Sequence, residues 1–143
     1  MILAPMGSGK STWISTLSSL QKALFLDGDE LLNRYNIPNK NYYWYPDGEI
    51  AVRVDKAAER QVISNLFNQF LQAGYNILYS GNPEIMPYDL LVMIDSDIRW
   101  RQVSSRKGFN PTRQQFDREN KAYTTEAAKN PSKVIHSFDI LLK

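Results

Sequence analysis

The feature that most constrains this chain is a glycine-rich segment near its start, residues 4–11, with the sequence APMGSGKS. It fits the pattern G-x-x-x-x-G-K-[ST] at every defined position except the first, where Ala4 stands in place of glycine. A short apolar run, residues 1–3, precedes it, and apolar residues at helical spacing, from Trp13 to Leu20, follow it over 11–20. Strand, glycine loop and helix in this order are the context that the pattern requires. The segment therefore predicts a phosphate-binding loop between a buried first strand and a helix.

Each residue type in the segment suits a phosphate ligand. Gly7 and Gly9 allow backbone conformations closed to other residues, so that successive N–H groups can point at a phosphate. Lys10 supplies a mobile positive charge for the β- and γ-phosphates, and the Ser11 hydroxyl is placed to bind Mg²⁺. An ordinary glycine–serine turn is the alternative, and it leaves the lysine, the hydroxyl and both flanks unexplained. The predicted nucleotide-binding residues of this segment are Pro5, Met6, Gly7, Ser8, Gly9, Lys10, Ser11 and Thr12.

Beyond the loop, short apolar runs alternate with segments of helical spacing. Apolar runs at 23–26, 75–79, 90–94 and 134–138 predict four further strands. Helical spacing predicts a helix over 50–73, ended by Gly74, and helical pieces over 98–130 around a break at 108–111. Residues 36–49, with two prolines and a glycine, predict a loop. This alternation predicts an α/β fold of three layers, with about five parallel strands and helices on both faces of the sheet.

Two of the helices are predicted in more detail. Asp29 is expected to cap a short helix that runs through Tyr35 and is stopped by Pro38. In the longer helix over 50–73, one apolar stripe is expected to face the core. The stripe consists of Ala58, Val62, Leu66 and Phe70, with Ile63, Phe67 and Leu71 beside it.

The amino-acid composition is typical of a globular protein and excludes several classes of protein, among them those held together by disulfides. The 143 residues predict one domain, 1–143, with 43% hydrophobic and 22% charged residues and a net charge of +2. This charge does not indicate nucleic acid as a partner, although it leaves that partner open. The chain has no cysteine, which excludes disulfides and thiolate metal sites and fits a reducing compartment. No apolar run approaches the length of a membrane span, so a cytoplasmic protein without a leader segment or a membrane partner is expected.

Polar residues follow the predicted strands at the points where the strands end. Asp27 and Asp29 follow the second strand, residues 80–82 follow the third, and Asp95 and Asp97 follow the fourth. Ligands of parallel α/β sheets bind at the carboxyl ends of the strands. Because the phosphate loop also follows a strand, these segments are predicted to form one active site.

The acidic residues allow two assignments of a magnesium ligand. A carboxylate beside a nucleotide phosphate can hold Mg²⁺ directly or through water, and a second can orient or deprotonate an attacking hydroxyl. These roles are assigned to Asp27 and Asp29 in that order, although either side chain could be a simple helix N-cap. The run LLVMID, which ends at Asp95, also fits a Walker B strand, whose final Asp contacts Mg²⁺. Asp95 is therefore the rival metal ligand.

These motifs resemble those of the P-loop small-molecule and nucleotide kinases, in particular the shikimate kinase, gluconate kinase and nucleoside monophosphate kinase group. In that group the second strand ends in Asp-x-Asp, as FLDGD does at 25–29. The segment GEIAVR at 48–53 is similar to the substrate segment of shikimate-type kinases, where an arginine, here Arg53, holds the substrate. The turn SGN at 80–82 is similar to their glycine turn beside the substrate. The resemblance covers most of the chain and implies the P-loop NTPase fold with a small lid.

The resemblance also implies a reaction, the transfer of the γ-phosphoryl group of ATP, with Mg²⁺, to a small metabolite, nucleoside or nucleotide through a hydroxyl or phosphate. It implies catalytic roles for Lys10, Asp29 and Arg106, the last as the arginine of a lid region over about 98–118. Arg99 and Arg101 are expected to lie against the adenine. A substrate-side segment is expected over about 36–60. The implied substrate-binding residues are Asp29, Arg53, Ser80, Gly81 and Asn82.

Departures from the family pattern keep two other functions open. Ala4 replaces the first loop glycine, the turn at 80–82 has a single glycine, no sharp lid signature is present, and the last helix is expected to be missing or minimal. These departures favour a nucleotide-binding module without transferase activity. A polynucleotide end kinase is the other alternative, with a basic groove to which Lys40, Arg53 and Arg60 contribute. The aromatic run YYWY at 42–45 could stack on a nucleobase or cover the neighbouring helices.

The family also ranks the two candidate metal ligands. At the position of Asp95 it usually has a helix cap, which places Asp27 above Asp95 as the predicted ligand of Mg²⁺.

Overall fold

The computed structural model describes residues 1–37, 56–84, 86–106 and 112–143, with the backbone alone at 56–59. The predictions for Arg53, for Lys40 and for the aromatic run at 42–45 lie outside these residues. The central part of the predicted lid region, 107–111, also lies outside them.

A five-stranded parallel sheet forms the centre of the molecule and confirms the predicted fold class. The strands are β1 (Ile2–Leu3), β2 (Phe25–Asp27), β3 (Asn76–Tyr79), β4 (Leu90–Val92) and β5 (Val134–Ile135). Their order is β2-β3-β1-β4-β5, and all four neighbouring pairs are parallel. The first strand is therefore central, with Ile2 in register with Leu78 on one side and Leu90 on the other. The chain builds one side of the sheet through β2 and β3 and then crosses to the other, and such a change of direction marks the ligand crevice of open parallel sheets.

Helices connect the strands, as the sequence predicts. The α-helices are α1 (Lys10–Ser15), α2 (Ser19–Lys22), α3 (Gly28–Arg34), α4 (Lys56–Gln72), α5 (Ser96–Ser104) and α6 (Arg113–Lys129). Two short 3₁₀ helices cover Pro131–Lys133 and Phe138–Leu142. The predicted break at 108–111 falls between α5 and α6, and these two helices occupy most of the predicted lid region, 98–118. In the described part of the chain, no helix has both the length and the apolar character that a membrane crossing needs.

Two hydrophobic cores, one on each face of the sheet, create the three layers. Successive side chains of a strand point to opposite faces, so neighbouring strand residues belong to different cores. One core contains the buried residues Leu3, Leu31, Leu32, Ile63, Leu66, Phe67, Ile77, Tyr79, Met86, Leu91 and Tyr123. The other contains Ile2, Ala4, Trp13, Leu17, Phe25, Leu78, Val92 and Phe138. Helices α3, α4 and α6 therefore cover one face, and α1 with the last 3₁₀ helix covers the other.

The predicted single helix over 11–20 is wrong, because the chain forms two short helices there. Helix α1 ends at Ser15, and Ser18 starts α2 with a capping box. The Ser18 hydroxyl accepts the Gln21 amide hydrogen, and the Gln21 side chain accepts the Ser18 amide hydrogen. This local bonding favours a new helix start over continuation of the first. Leu20, predicted to share one side of a single helix with Trp13, is 85% exposed as a result, whereas Trp13 is buried.

Where its side chains are described, the core-facing side of α4 agrees with the predicted stripe except at Val62. Ile63, Leu66 and Phe67 are buried, whereas Val62 is 51% exposed.

The predicted fifth strand is shorter than expected, because Phe138 starts the last 3₁₀ helix instead of ending the strand. Its ring stacks on that of Trp13 with the ring centres 5.5 Å apart, so burial of the aromatic ring favours the helical turn.

Candidate functional site

The phosphate loop joins the carboxyl end of β1 to α1 and has the predicted glycine conformations. Gly7 has φ 78° and Gly9 has φ 86°, both in the left-handed region that side chains disfavour. Gly9 is also the N-cap of α1, and its carbonyl accepts the amide hydrogen of Trp13. The Ser8 hydroxyl donates to the Pro5 carbonyl at 2.6 Å, which closes the loop on itself.

The loop packs directly on helix α5 through Gly7. A Cβ atom at this position would lie 2.6 Å from the Arg99 carbonyl oxygen and 2.7 Å from Cγ2 of Val103. At Gly9, by contrast, an added Cβ would meet nothing within 4 Å. Gly7 is therefore required by contact as well as by conformation.

Lys10 bridges the loop to the end of β3. Its Nζ donates to Ser80 Oγ at 2.5 Å, and Ser80 Oγ donates to the Ala4 carbonyl at 2.8 Å. These bonds place the lysine ammonium, the first residue of the loop and the turn after β3 together. The predicted convergence of the β1 and β3 ends is therefore present.

Ser11 and Asp27 form the contact between the loop and the end of β2. The Ser11 hydroxyl donates to Asp27 Oδ2 at 2.8 Å, and Asp27 Oδ1 accepts the Asp29 amide hydrogen at 2.9 Å. The predicted capping role of Asp29 is wrong, because Asp27 is the N-cap of α3 and Asp29 lies in its first turn. Gly28 has no room for a side chain, since a Cβ there would lie 2.7 Å from the Tyr79 ring.

The oxygen atoms of Ser11 and Asp27 fit Mg²⁺, which prefers one or two carboxylates combined with substrate phosphates and water. Among the described residues, no group of three or more His, Cys, Asp or Glu side chains could hold a metal ion by itself. A magnesium ion at this contact would therefore depend on ligand phosphate oxygens.

The rival ligand, Asp95, is the N-cap of α5. Its Oδ1 accepts the amide hydrogens of Asp97 at 2.9 Å and of Ile98 at 3.2 Å. Asp27 caps a helix in the same way, and it differs in that its second oxygen bonds to Ser11. This difference favours Asp27, and the choice of metal ligand stays a prediction.

The turn after β3 is held from two sides. The Tyr123 hydroxyl, on α6, donates to the Gly81 carbonyl at 2.9 Å. An added Cβ at Gly81 would collide with Met86 Sδ. The Asn82 side chain accepts the Glu84 amide hydrogen at 2.9 Å, so the turn has a defined shape beside Lys10. The substrate contacts predicted for Ser80, Gly81 and Asn82 stay predictions.

Arg99 lies inside the protein rather than at the surface of the site. Its side chain is 0% exposed, its Nε donates to the Ile94 carbonyl at 3.1 Å, and Nη2 donates to Asn120 Oδ1. Burial lowers the pKa of this guanidinium, and the Glu119 carboxylate opposes that effect. The predicted contact of Arg99 with adenine does not fit this position, since the side chain presents no surface to a ligand.

The other two predicted arginines are exposed. Arg101 Nε lies 3.4 Å from the Asp97 carbonyl that accepts its hydrogen. Arg106 follows the end of α5, and its amide donates to the Val103 carbonyl. It directly precedes residues 107–111, which the structure does not describe. Their contacts with a nucleotide stay predictions.

Glu119 on α6 is a site residue that the sequence reasoning missed. Its side chain is 1% exposed, and its Oε1 accepts the amide hydrogen of Met6 in the phosphate loop at 2.8 Å. Burial raises the pKa of Glu119 to about 7. The hydrogen bond from Met6 and the positive charges of Arg99, Lys10 and Arg106 act in the opposite direction and lower it. A signal was present in the sequence, because Glu119 lies three residues after Phe116 and four before Tyr123. This helical spacing places the carboxylate on the apolar side of the helix. The buried residues of that face are Phe116, Glu119, Ala122 and Tyr123.

The sheet order and the glycine loop after its central strand define a P-loop kinase-like α/β fold. Among solved structures, the chain is similar to shikimate kinase from Bacteroides thetaiotaomicron, with a TM-score of 0.54 and 15% identity. The alignment covers 94% of this chain and 84% of that one. No family profile and no curated protein matches the chain. At this identity the likeness establishes the fold, while the reaction has to be argued from the site.

Proposed function

We propose that the protein is a phosphotransferase that moves the γ-phosphoryl group of ATP to a small metabolite, nucleoside or nucleotide. The observation that carries this proposal is the pair of contacts Ser11–Asp27 and Lys10–Ser80 on either side of the phosphate loop. They place a cation, a hydroxyl and a carboxylate around backbone amides at the carboxyl edge of the sheet. Positioning and neutralisation of phosphate charge are the main needs of phosphoryl transfer.

The loop and its neighbours would bind the nucleotide. Loop amides from Gly7 to Lys10 would contact the phosphates, and Lys10 would exchange its bond to Ser80 for the β- and γ-phosphate oxygens. Ser11 and Asp27 would hold Mg²⁺, which neutralises phosphate charge when bound. Arg106 follows the end of α5, the helix on which the loop packs through Gly7, and would serve as the predicted lid arginine.

Asp29 is the proposed group on the acceptor side. It is exposed in the first turn of α3, two residues after the Asp27 that contacts Ser11. For a hydroxyl acceptor, the acceptor oxygen forms a bond to the γ-phosphorus, the bond from that phosphorus to the β–γ bridging oxygen breaks, and ADP leaves. Asp29 would orient the hydroxyl and accept its proton. For a phosphate acceptor no base is needed, and Asp29 would only bind substrate.

The test is transfer of γ-labelled phosphate from MgATP to pooled nucleosides, nucleotides, sugar acids and DNA or RNA ends. The proposal expects label on one small-molecule pool. Asp29→Asn should then reduce the transfer rate far more than the affinity for MgATP. Glu30→Gln is the matched control, since Glu30 is an exposed acid in the same turn of α3. Equal losses of transfer and nucleotide affinity in Asp29→Asn would assign this residue to metal binding or folding.

A nucleotide-binding module without transferase activity is the second candidate. The burial of Arg99 favours it, because this arginine is thereby removed from the set available to stabilise a transferring phosphoryl group. The same assay separates the two functions, since tight MgATP binding with no labelled acceptor would exclude the kinase and support the module. Label confined to DNA or RNA ends would support a polynucleotide end kinase instead.

A further inference from the structure

Helix α6 contacts both halves of the candidate site from inside the protein. Its Glu119 accepts the Met6 amide hydrogen of the phosphate loop, and its Tyr123 donates to the Gly81 carbonyl of the turn after β3. The two side chains are four residues apart and therefore lie on the same face of the helix. The shape of the phosphate loop thus depends on a side chain outside the loop motif.

The surroundings of Glu119 leave its charge only partly compensated. Arg99 on α5 brings a positive charge close to it, with Nη1 3.7 Å from Glu119 Oε1, longer than a hydrogen bond. Within the described residues, Glu119 Oε2 and Arg99 Nη1 are buried without a hydrogen-bond partner. The charges of Lys10 on α1 and of Arg106 after α5 also act on the carboxyl, and the negative charge of Glu119 contributes to the raised pKa of Tyr123 on the same helix.

A ligand phosphate in the loop would bring further negative charge to this carboxyl. The Glu119 carboxyl is itself buried, and it accepts the amide hydrogen of Met6, the residue directly before the loop amides proposed to contact the phosphates. Two negative charges close to each other repel, and the repulsion is stronger where water is excluded. The ionised carboxylate therefore weakens binding of the ligand, and the bound ligand favours protonation of the carboxylate. Burial already holds the pKa of Glu119 at about 7, so a proton can bind there at ordinary pH.

We propose that Glu119 is a positioning residue of the phosphate loop, and that the loop binds its anionic ligand most tightly when the Glu119 carboxyl is neutral. The neutral carboxyl still accepts the Met6 amide hydrogen through its carbonyl oxygen, so the loop keeps its support while the negative charge is removed. The proton comes from solvent and is released with the ligand. This inference rests on the proposed binding of nucleotide phosphates at the loop.

The experiment measures MgADP binding by calorimetry from about pH 6 to about pH 8.5, in buffers of different ionisation enthalpy that reveal proton uptake. Wild-type affinity is expected to fall as pH rises, by about tenfold for each unit by which MgADP raises the pKa of Glu119. Glu119→Gln, neutral at every pH, should lose this part of the pH dependence and the proton uptake. Asp117→Asn is the matched control, because Asp117 is an exposed carboxylate on the same helix that pairs with Arg113.

The outcomes separate this inference from the proposed function. Titration of MgADP itself is common to all three proteins, so only the difference between their pH profiles counts. Parallel profiles for wild type and Glu119→Gln, or a constant loss of affinity at every pH, would reduce Glu119 to a structural role and overturn the inference alone. Absence of MgADP binding at every pH would overturn the proposed function with it. If Glu119→Gln does not fold, wild-type proton uptake decides, and binding without uptake near pH 7.5 contradicts the inference.

Discussion

The two glycines of the phosphate loop have the same backbone conformation and different surroundings. A positive φ costs a non-glycine residue about 1–2 kcal/mol, and this cost applies to both Gly7 and Gly9. At Gly7 a side chain would also press on the backbone of Arg99 and on Val103, whereas Gly9 faces open space. The sequence motif alone treats the two positions alike, and only the packing of the loop on α5 distinguishes them.

Gly7→Ala is therefore expected to destabilise the protein more than Gly9→Ala. Overpacking adds about 1–3 kcal/mol to the cost of the strained φ. Urea unfolding of the two variants measures the difference, with Gly9→Ala as the control for conformation alone. Equal losses of unfolding free energy would contradict the close contact between the loop and α5.

The loop motif predicted the conformation of its residues better than the sequence predicted the positions of isolated arginines. The left-handed conformation of Gly7 and Gly9 could be predicted because the motif fixes the residue types and their spacing along the chain. No such motif constrains an arginine, and Arg99 was predicted to lie against the adenine although its side chain is buried and bonds to α6. Its position depends on Asn120 and Glu119, about twenty residues further along the chain, which no local pattern around Arg99 reveals.

At the scale of elements, α6 is the helix whose role the sequence hid. Its existence was predicted from helical spacing, and the Thr112 capping box explains its start. Its partners in the site, Met6 and Gly81, lie 113 and 42 residues away in sequence. Contacts of such range depend on the completed sheet, so the helix could be predicted while its function could not.

Tyr123→Phe tests the contact of α6 with the turn after β3. Removing the hydroxyl leaves the Gly81 carbonyl without this buried donor, so we expect a loss of about 1–2 kcal/mol of unfolding free energy. The comparison is Tyr35→Phe, since Tyr35 is half-exposed and its hydroxyl can be hydrated. An unchanged stability of Tyr123→Phe would mean that α6 does not support the turn.

Local sequence patterns gave wrong boundaries for the short helices. The stretch 11–20 has good helical spacing, yet the Ser18–Gln21 box starts a second helix. The Asp-Gly-Asp motif was correctly placed at the end of β2, whereas its capping residue is Asp27 instead of Asp29. In both cases a side chain that bonds to a nearby amide decided the helix boundary.

At the scale of the whole molecule, the alternation of strands and helices was enough to predict a parallel three-layer fold. The order β2-β3-β1-β4-β5 was not predicted, because crossovers of similar length can place a strand on either side of the first. The order matters for function, since it puts β1 at the centre and surrounds its loop with residues from β2 and β3.

The buried Glu119 makes the stability of the whole molecule depend on pH. Its pKa of about 7 in the folded protein exceeds the ordinary 4.5, so the folded state binds the proton more tightly. The stabilisation is fully present below about pH 4.5 and is lost as pH rises through about 7, by at most about 3 kcal/mol. Unfolding free energies measured between about pH 5 and about pH 8 should show this decline in wild type and in Asp117→Asn but not in Glu119→Gln. Identical pH profiles for all three would show that Glu119 keeps an ordinary pKa.

The loop at the carboxyl end of β1 is proposed to bind nucleotide phosphates through Lys10. Equilibrium binding of MgATP to wild type, Lys10→Ala and Lys121→Ala tests it most directly, with Lys121 as an exposed lysine on α6. Wild type and Lys121→Ala should bind with the same affinity, and Lys10→Ala should bind about tenfold or more weakly, because a charge-assisted contact is lost. Equal affinity for MgATP in all three proteins would contradict the claim.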